Sequence, residues 1–168
     1  MPWTTPLSWQ PGQVVAASDL NVQIRDNLFY LLAGRVLAQA QHVGLADYTT
    51  TSTAFVDADA TNLALTLTIN SGRALLIAMV LASGTLTNGG AYLSWNVDSG
   101  VALGSPYGLL STALPGVGGQ LHALTVIGAF TGLSVGAHLF KLQYRGNGTG
   151  GATIYNTSLP ITLLGLEI

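Results

Sequence analysis

The spacing of hydrophobic residues changes once along this chain, and the change limits what it can fold into. Leu20, Ile24, Leu28, Leu31 and Leu32 lie three or four apart, the period of one apolar helix face. After Gly34 the period falls to two, as in Leu63-Ala64-Leu65-Thr66-Leu67-Thr68-Ile69, where every second residue is large and apolar. One helix followed only by strands predicts an all-β, antiparallel sandwich or jelly roll behind an extended arm and a short α-helix. The expected divisions are an arm and anchor helix over residues 1–34 and a β-domain over 35–168.

The arm carries Pro2, Pro6 and Pro11, which fix φ and block helix, together with Trp3 and Trp9. Two tryptophans on so short a segment need a surface to bury against. That surface is either the chain's own body or, the sharper reading, a neighbouring subunit or another protein. Ser18 is the expected N-cap of the helix, with Asp19 in the first turn and Gly34 as C-cap. Asn27 falls near the middle of the apolar stripe. It either sets register on a helix seam or lies at the stripe's edge in water. Four turns are too few for a helix to be stable alone, so packing must hold it.

The expected strands are Val36 to Gln41, the Thr-rich stretch from Tyr48 into Ala54-Phe55-Val56, Leu63 to Ile69, Ala74 to Ala82, Leu93 to Val97, Leu121 to Leu133, Phe140 to Arg145, Thr153 to Tyr155 and Ile161 to Ile168. Turns fall at Asn70-Ser71-Gly72, Asn88-Gly89-Gly90 and Asn147-Gly148. In the strand of Phe140, Leu142 and Tyr144, the alternate residues Lys141, Gln143 and Arg145 form an expected wet face. Ala74 to Ala82 is apolar on both faces, which requires cover on both. It is expected to lie between the core and a subunit interface, with Leu76, Ala78 and Val80 at the interface. The blander alternative is a central strand beneath a long loop. Residues 100–120 form the longest irregular connection.

Composition supports burial beyond one subunit. Only 7% of the 168 residues are charged while 49% are hydrophobic, against about 25% charged in an ordinary soluble domain. Either Ser, Thr, Asn and Gly cover the surface, or part of it is hidden in an oligomer; both are expected here. The five basic residues, Arg25, Arg35, Arg73, Lys141 and Arg145, do not cluster, which argues against nucleic acid as a partner. There is no cysteine, hence no disulfide or thiolate metal site. The first residues lack the basic and apolar regions of a signal peptide. The longest apolar run is about half a membrane span, so no membrane partner is expected.

Catalytic, metal and cofactor sites are expected to be absent. The seven acids offer no evident pair for acid–base chemistry. Asp57-Ala58-Asp59 could ligate a hard cation, but a solvated loop explains it better. His42, His122 and His138 lack metal-ligand spacing, though one His on a three-fold axis would supply three ligands. Gly146-Asn147-Gly148-Thr149-Gly150-Gly151 lacks the lysine of a phosphate loop and fits a turn between strands.

Two segments resemble a recurrent kind of tailed-bacteriophage virion protein. Trp9, Gly12, Val14-Val15, Ala17, Leu20-Asn21 and Ile24-Arg25-Asp26-Asn27 match a W-x-x-G-x-x-V-x-A-x-x-L-N-x-x-I-R-D-N leader. His138 to Arg145, the Gly-rich turn and Ala152 to Asn156 are similar to the closing strands of tumour-necrosis-factor and C1q-like jelly rolls. The resemblance implies a homotrimeric, non-enzymatic subunit on the virion surface. As a capsid decoration or head-fibre protein, it would be anchored to the major capsid protein, or to a tail or baseplate protein. Trp3, Trp9, Val14, Val15, Leu20, Ile24, Asn27, Leu28 and Leu31 would form the anchor and trimer helix. A second expectation is a receptor-binding trimer, with Tyr92, Trp95, Tyr107 and the 100–120 loop meeting host surface glycans; Trp95, on the apolar parity of its strand, is expected in the core. A third, a depolymerase, finds no acid–base pair to support it.

Overall fold

The computed structural model describes residues 5, 7–8, 10–27, 37–44, 46–84, 89–111, 120–148, 150–157 and 159–168. The chain divides into two compact units, Met1–Val36 and Leu37–Ile168.

In the first unit, Pro11 and Gly12 occupy the corner of a turn closed by the Gln13 amide donating to the Gln10 carbonyl (3.0 Å). Gly12 has φ +82°, which a side chain would strain. The helix begins earlier than its sequence suggests. α1 spans Ala17–Leu20 with Ala16 as N-cap and no side-chain cap, so Ser18 lies inside the first turn. The helix then continues as a π-helical segment, Asn21–Asp26. The wider turn rotates side chains away from an α-helical stripe. Leu20 and Ile24 are exposed (Ile24 59%), whereas Asn27 is 4% exposed, which excludes the solvated position for Asn27. The Leu7 amide donates to Gln23 Oε1 at 2.9 Å, tying the arm to the helix. Leu28, Leu31 and the expected C-cap Gly34 lie outside the described residues, as do Trp3 and Trp9.

The second unit is a sandwich of antiparallel sheets. The strands are β1 (Leu37–His42), β2 (Tyr48–Thr50), β3 (Val56–Asp57), β4 (Ala64–Ile69), β5 (Arg73–Gly84), β6 (Tyr92–Val97), β7 (Leu110–Ser111), β8 (His122–Thr131), β9 (Gly136–Arg145), β10 (Ala152–Tyr155) and β11 (Ile161–Glu167). In the first sheet β5 is central. β8 flanks one side; β11 and then β1 flank the other, with β10 and β2 continuing past the end of β11. In the second sheet β9 is central, between β6, which carries β7, and the edge made by β4 and β3. The chain alternates between sheets. With β1/β2, β3/β4 and β10/β11 each counted as one interrupted strand, the orders become 1-8-3-6 and 2-7-4-5. That is the strand order of a jelly roll.

The inward faces meet in one core. Leu63, Leu65, Leu67, Ile69, Leu93, Trp95, Phe140 and Leu142 oppose Leu76, Ala78, Val126, Ile161 and Leu163. Burying each large side chain contributes roughly 1.5–3 kcal/mol. Trp95 is wholly buried, and its indole N–H donates to the Val126 carbonyl at 3.3 Å. The ring reaches the opposite sheet only because residue 128 is glycine: a Cβ there would lie 2.9 Å from Trp95 Cδ1.

The alternating parity of β5 corrects one expectation. Leu76, Ala78 and Val80 are not at a subunit interface; they are buried in the core of a single chain. The opposite parity, Leu75, Ile77, Met79 and Leu81, faces outward. The expected wet face of β9 is also covered. Gln143 is buried and Lys141 is nearly so, because β3 and the loop after β6 supply them with partners.

Candidate interaction surfaces

The two outer faces of the sandwich differ in chemistry. On the first sheet the outward rows are Leu166–Leu75–Ala129, Leu164–Ile77–Ile127 and Thr162–Met79–Thr125 across β11, β5 and β8, followed by Leu81–Ala123. Between Leu75 and Leu81 none of these side chains is charged. Met79 (51%) and Ile127 (54%) are half exposed. From strand spacing and rise, the patch measures roughly 15 by 20 Å. At one end it dips into an apolar depression of about 320 Å³ lined by Met79, Leu81, Ala123, Leu124, Leu159 and Pro160.

The second sheet turns a polar ladder outward: Asp57 on β3, Lys141, Gln143 and Arg145 on β9, and Tyr92, Ser94 and Asn96 on β6. Lys141 Nζ and Gln143 Nε2 both donate to the Asp57 carboxylate at 2.8 Å. Burial pushes the Asp57 carboxyl up, but the lysine and the amide outweigh it and hold it below the usual value. The loop after β6 is fastened to this ladder. Ser94 Oγ donates to the Leu103 carbonyl at 2.5 Å, Leu103 N to the Trp95 carbonyl at 2.8 Å, and Leu109 N to the Leu93 carbonyl at 2.9 Å. Gly108 (φ +76°) allows the loop to lie close: a Cβ there would sit 2.8 Å from the Leu93 carbonyl oxygen. Residues 98–109, which include the first part of the irregular connection expected over 100–120, are therefore a bound strap. β7 follows at once, and residues 112–119 lie outside the described residues.

Between this strap and the turn at Thr53-Ala54-Phe55 lies a cleft of about 410 Å³ with Gln143 and Arg145 among its walls. The Arg145 guanidinium lies over the Tyr92 ring (4.1 Å to its centroid) and nearer the edge of contact with Phe55 (5.5 Å). Its Nε donates to the Pro106 carbonyl (2.9 Å) and Nη1 to the Gly146 carbonyl (2.8 Å).

A Ser–His–Asp constellation stands at the other end of the second sheet. His138 Nδ1 lies 2.6 Å from Asp98 Oδ2, and its Nε2 lies 3.4 Å from Ser134 Oγ. It is not arranged for nucleophilic catalysis. Nε2 is closer to the Ser134 carbonyl oxygen (2.9 Å), which requires an N–H on that nitrogen. A general base must instead offer a lone pair to the hydroxyl. The Ser134 carbonyl, then Asp98, raise the His138 pKa; the Leu139 amide, then His138, lower that of Asp98. The arrangement is a charged clasp holding the turn after β6, where Asp98 and Ser99 have φ +51° and +62°, to the start of β9.

No protein-family model matches the chain, and no curated protein matches it.

The other expected residues are placed as follows. Among the described residues, no three His, Cys, Asp or Glu side chains gather as a metal site, and no helix is long and apolar enough to cross a membrane. Asp57 lies on β3, held by Lys141 and Gln143, whereas Asp59 lies in the expected loop between strands, half-buried and hydrogen-bonded there. Asp59 accepts from the Thr61 and Asn62 amides and the Asn62 side chain, and from Tyr48 Oη at 2.9 Å. Burial and then that bond to Asp59 push the Tyr48 hydroxyl up to about 12. Val14 is exposed and Val15 half-buried. Tyr92 is half-buried beneath Arg145, and Tyr107 is 75% exposed. The Arg145–Tyr92 pair and the His138–Asp98 clasp were missed by reading the sequence. The available signal was positional: β6 and β9 are both alternating strands, and pairing them antiparallel sets 92 beside 145.

Proposed function

We propose that this chain is a non-enzymatic structural subunit of a tailed-phage particle. Three copies form a trimer on the virion surface, as a capsid decoration or head fibre, and the N-terminal segment grips the major capsid protein or a tail protein. The observation that carries the reading is the uncharged outer face of β5, β8 and β11. A patch of roughly 300 Å² is the size of the largest apolar patch on an ordinary monomer, and such patches often serve as binding surfaces. A face without charge suits an obligate interface between copies. Exposed Leu20 and Ile24 on the helix, and the virion leader that their segment resembles, support a role for the N-terminal segment in attachment. The stoichiometry of three follows from the resemblance of the closing strands.

Sedimentation velocity of the purified chain tests the assembly. A trimer at micromolar concentration is the expected result, and a folded monomer overturns it. Imaging of a particle that contains the chain tests its place: density for the subunit outside the capsid or tail, joined to it through the N-terminal segment, is expected.

A further inference from the structure

We propose that the cleft between the 98–109 strap and the Thr53–Phe55 turn binds a carboxylate-bearing sugar, with Arg145 as its anion-binding residue. Three features of one subunit converge there. The cleft is about 410 Å³, within the range of small-ligand sites. It is built from fixed parts: the strap is hydrogen-bonded to the β6 backbone, and the cleft floor stands on the central strand β9.

The second feature is the arginine. Among the described residues, the protein's basic groups in this sheet are otherwise matched to acids: Lys141 to Asp57, and His138 to Asp98. Arg145 instead donates to two backbone carbonyls, which orient the guanidinium without neutralising it. Its plane is supported by Tyr92 at 4.1 Å. An oriented guanidinium with donors remaining suits a planar carboxylate, which it can engage through two parallel bonds.

The third feature is the lining. Phe55 offers an apolar ring face, while Thr53 and Ser105 place short polar side chains around it and Gln143, tied to Asp57, belongs to the floor. Apolar C–H faces and hydroxyl groups alternate around a pyranose ring, and this lining can meet both. A bare inorganic anion would use the arginine alone and leave the aromatic wall without a role. The inference gives a ligand class to the glycan-binding expectation. It rests on the chemistry of a single subunit, so it stands or falls separately from the trimer.

The test is isothermal titration of the whole chain with trigalacturonate, with neutral maltotriose and with sodium acetate, beside the variants Arg145→Lys and Thr53→Trp. Saturable binding of trigalacturonate is expected, with maltotriose and acetate at least about tenfold weaker. Arg145→Lys keeps the charge but loses the fork, and should weaken trigalacturonate about tenfold or more. Thr53→Trp fills the cleft from an exposed position, leaves the Arg145 bonds in place, and should abolish binding. It serves as the test if the arginine variant fails to fold. Absence of saturable binding up to millimolar trigalacturonate, equal binding of maltotriose, equal binding of acetate, or undiminished binding by folded Thr53→Trp would each overturn the proposal.

Discussion

Gly128 and Trp95 meet closely across the sandwich, and their energetics can be measured directly. Gly128→Ala should destabilise the domain by about 1–3 kcal/mol, because neither the indole nor the strand can retreat freely. Trp95→Ala should cost about 3–5 kcal/mol, from lost burial and the cavity left behind. Urea unfolding with unchanged m-values would check both. The His138–Asp98 clasp makes a prediction in pH. The His138 pKa is raised above 6.5, so its contribution is complete below that value and is lost as pH rises through the folded-state pKa. The Asp98 pKa is lowered from 3.8, so its contribution is present above that value and is lost as pH falls through the depressed pKa. Between about pH 4 and 6.5 both are in force. The melting temperature of the parent chain should therefore exceed that of His138→Gln most in this window, and the gap should narrow on either side. Alternation of large residues made the burial of Trp95, Phe140 and Leu142 legible in the sequence. The clasp was not legible, because forty residues separate its members and only the β6–β9 pairing brings them together.

At the scale of elements, β5 shows what periodicity can and cannot settle. Its two apolar parities were evident, and so was the need to cover both. Which parity faced the core was not, because Leu76, Ala78 and Val80 differ little in character from Leu75, Ile77 and Met79. The decision comes from register. Leu76 pairs with Gly165 and Gly128, small positions that leave room for the core, while Ile77 pairs with Leu164 and Ile127 on the outside. Ile77→Asp should accordingly leave the fold intact but dissociate the proposed trimer to monomers, as read by sedimentation and circular dichroism. Leu76→Ala, on the buried parity, should instead cost about 2–5 kcal/mol of stability. The end of β11 holds a second device that the sequence did not reveal. The Glu167 carboxylate accepts the Asn70 and Ser71 amides, securing the turn between β4 and β5. Burial pushes its pKa up, yet these donors hold it below the usual value. Glu167→Gln should lower stability by about 1–2 kcal/mol near neutral pH, since a neutral acceptor replaces a buried charged one at two backbone donors of an exposed turn. The helix was legible as an element, but its π-helical turn was not. Spacing by threes and fours cannot report a locally widened turn.

At the scale of the whole molecule, the two sheets share one core yet present opposite outer walls. The second sheet pairs the charged groups Asp57 and Lys141 of its outward ladder with each other and keeps one arginine at a cleft. The first sheet carries no charge outward between Leu75 and Leu81, where its polar groups are threonines and, on the edge strand β1, Gln39 and Gln41. The scarcity of charge in the composition is thus an uneven distribution rather than a general thinning. The sequence exposes the total but not the partition, which depends on which strands share a sheet. That partition has a consequence for handling the protein. Contact between copies through the β5–β8–β11 wall would offer mobile ions nothing to shield, so sodium chloride should leave the association constant nearly unchanged. Sulfate should tighten the complex, and chilling should loosen it.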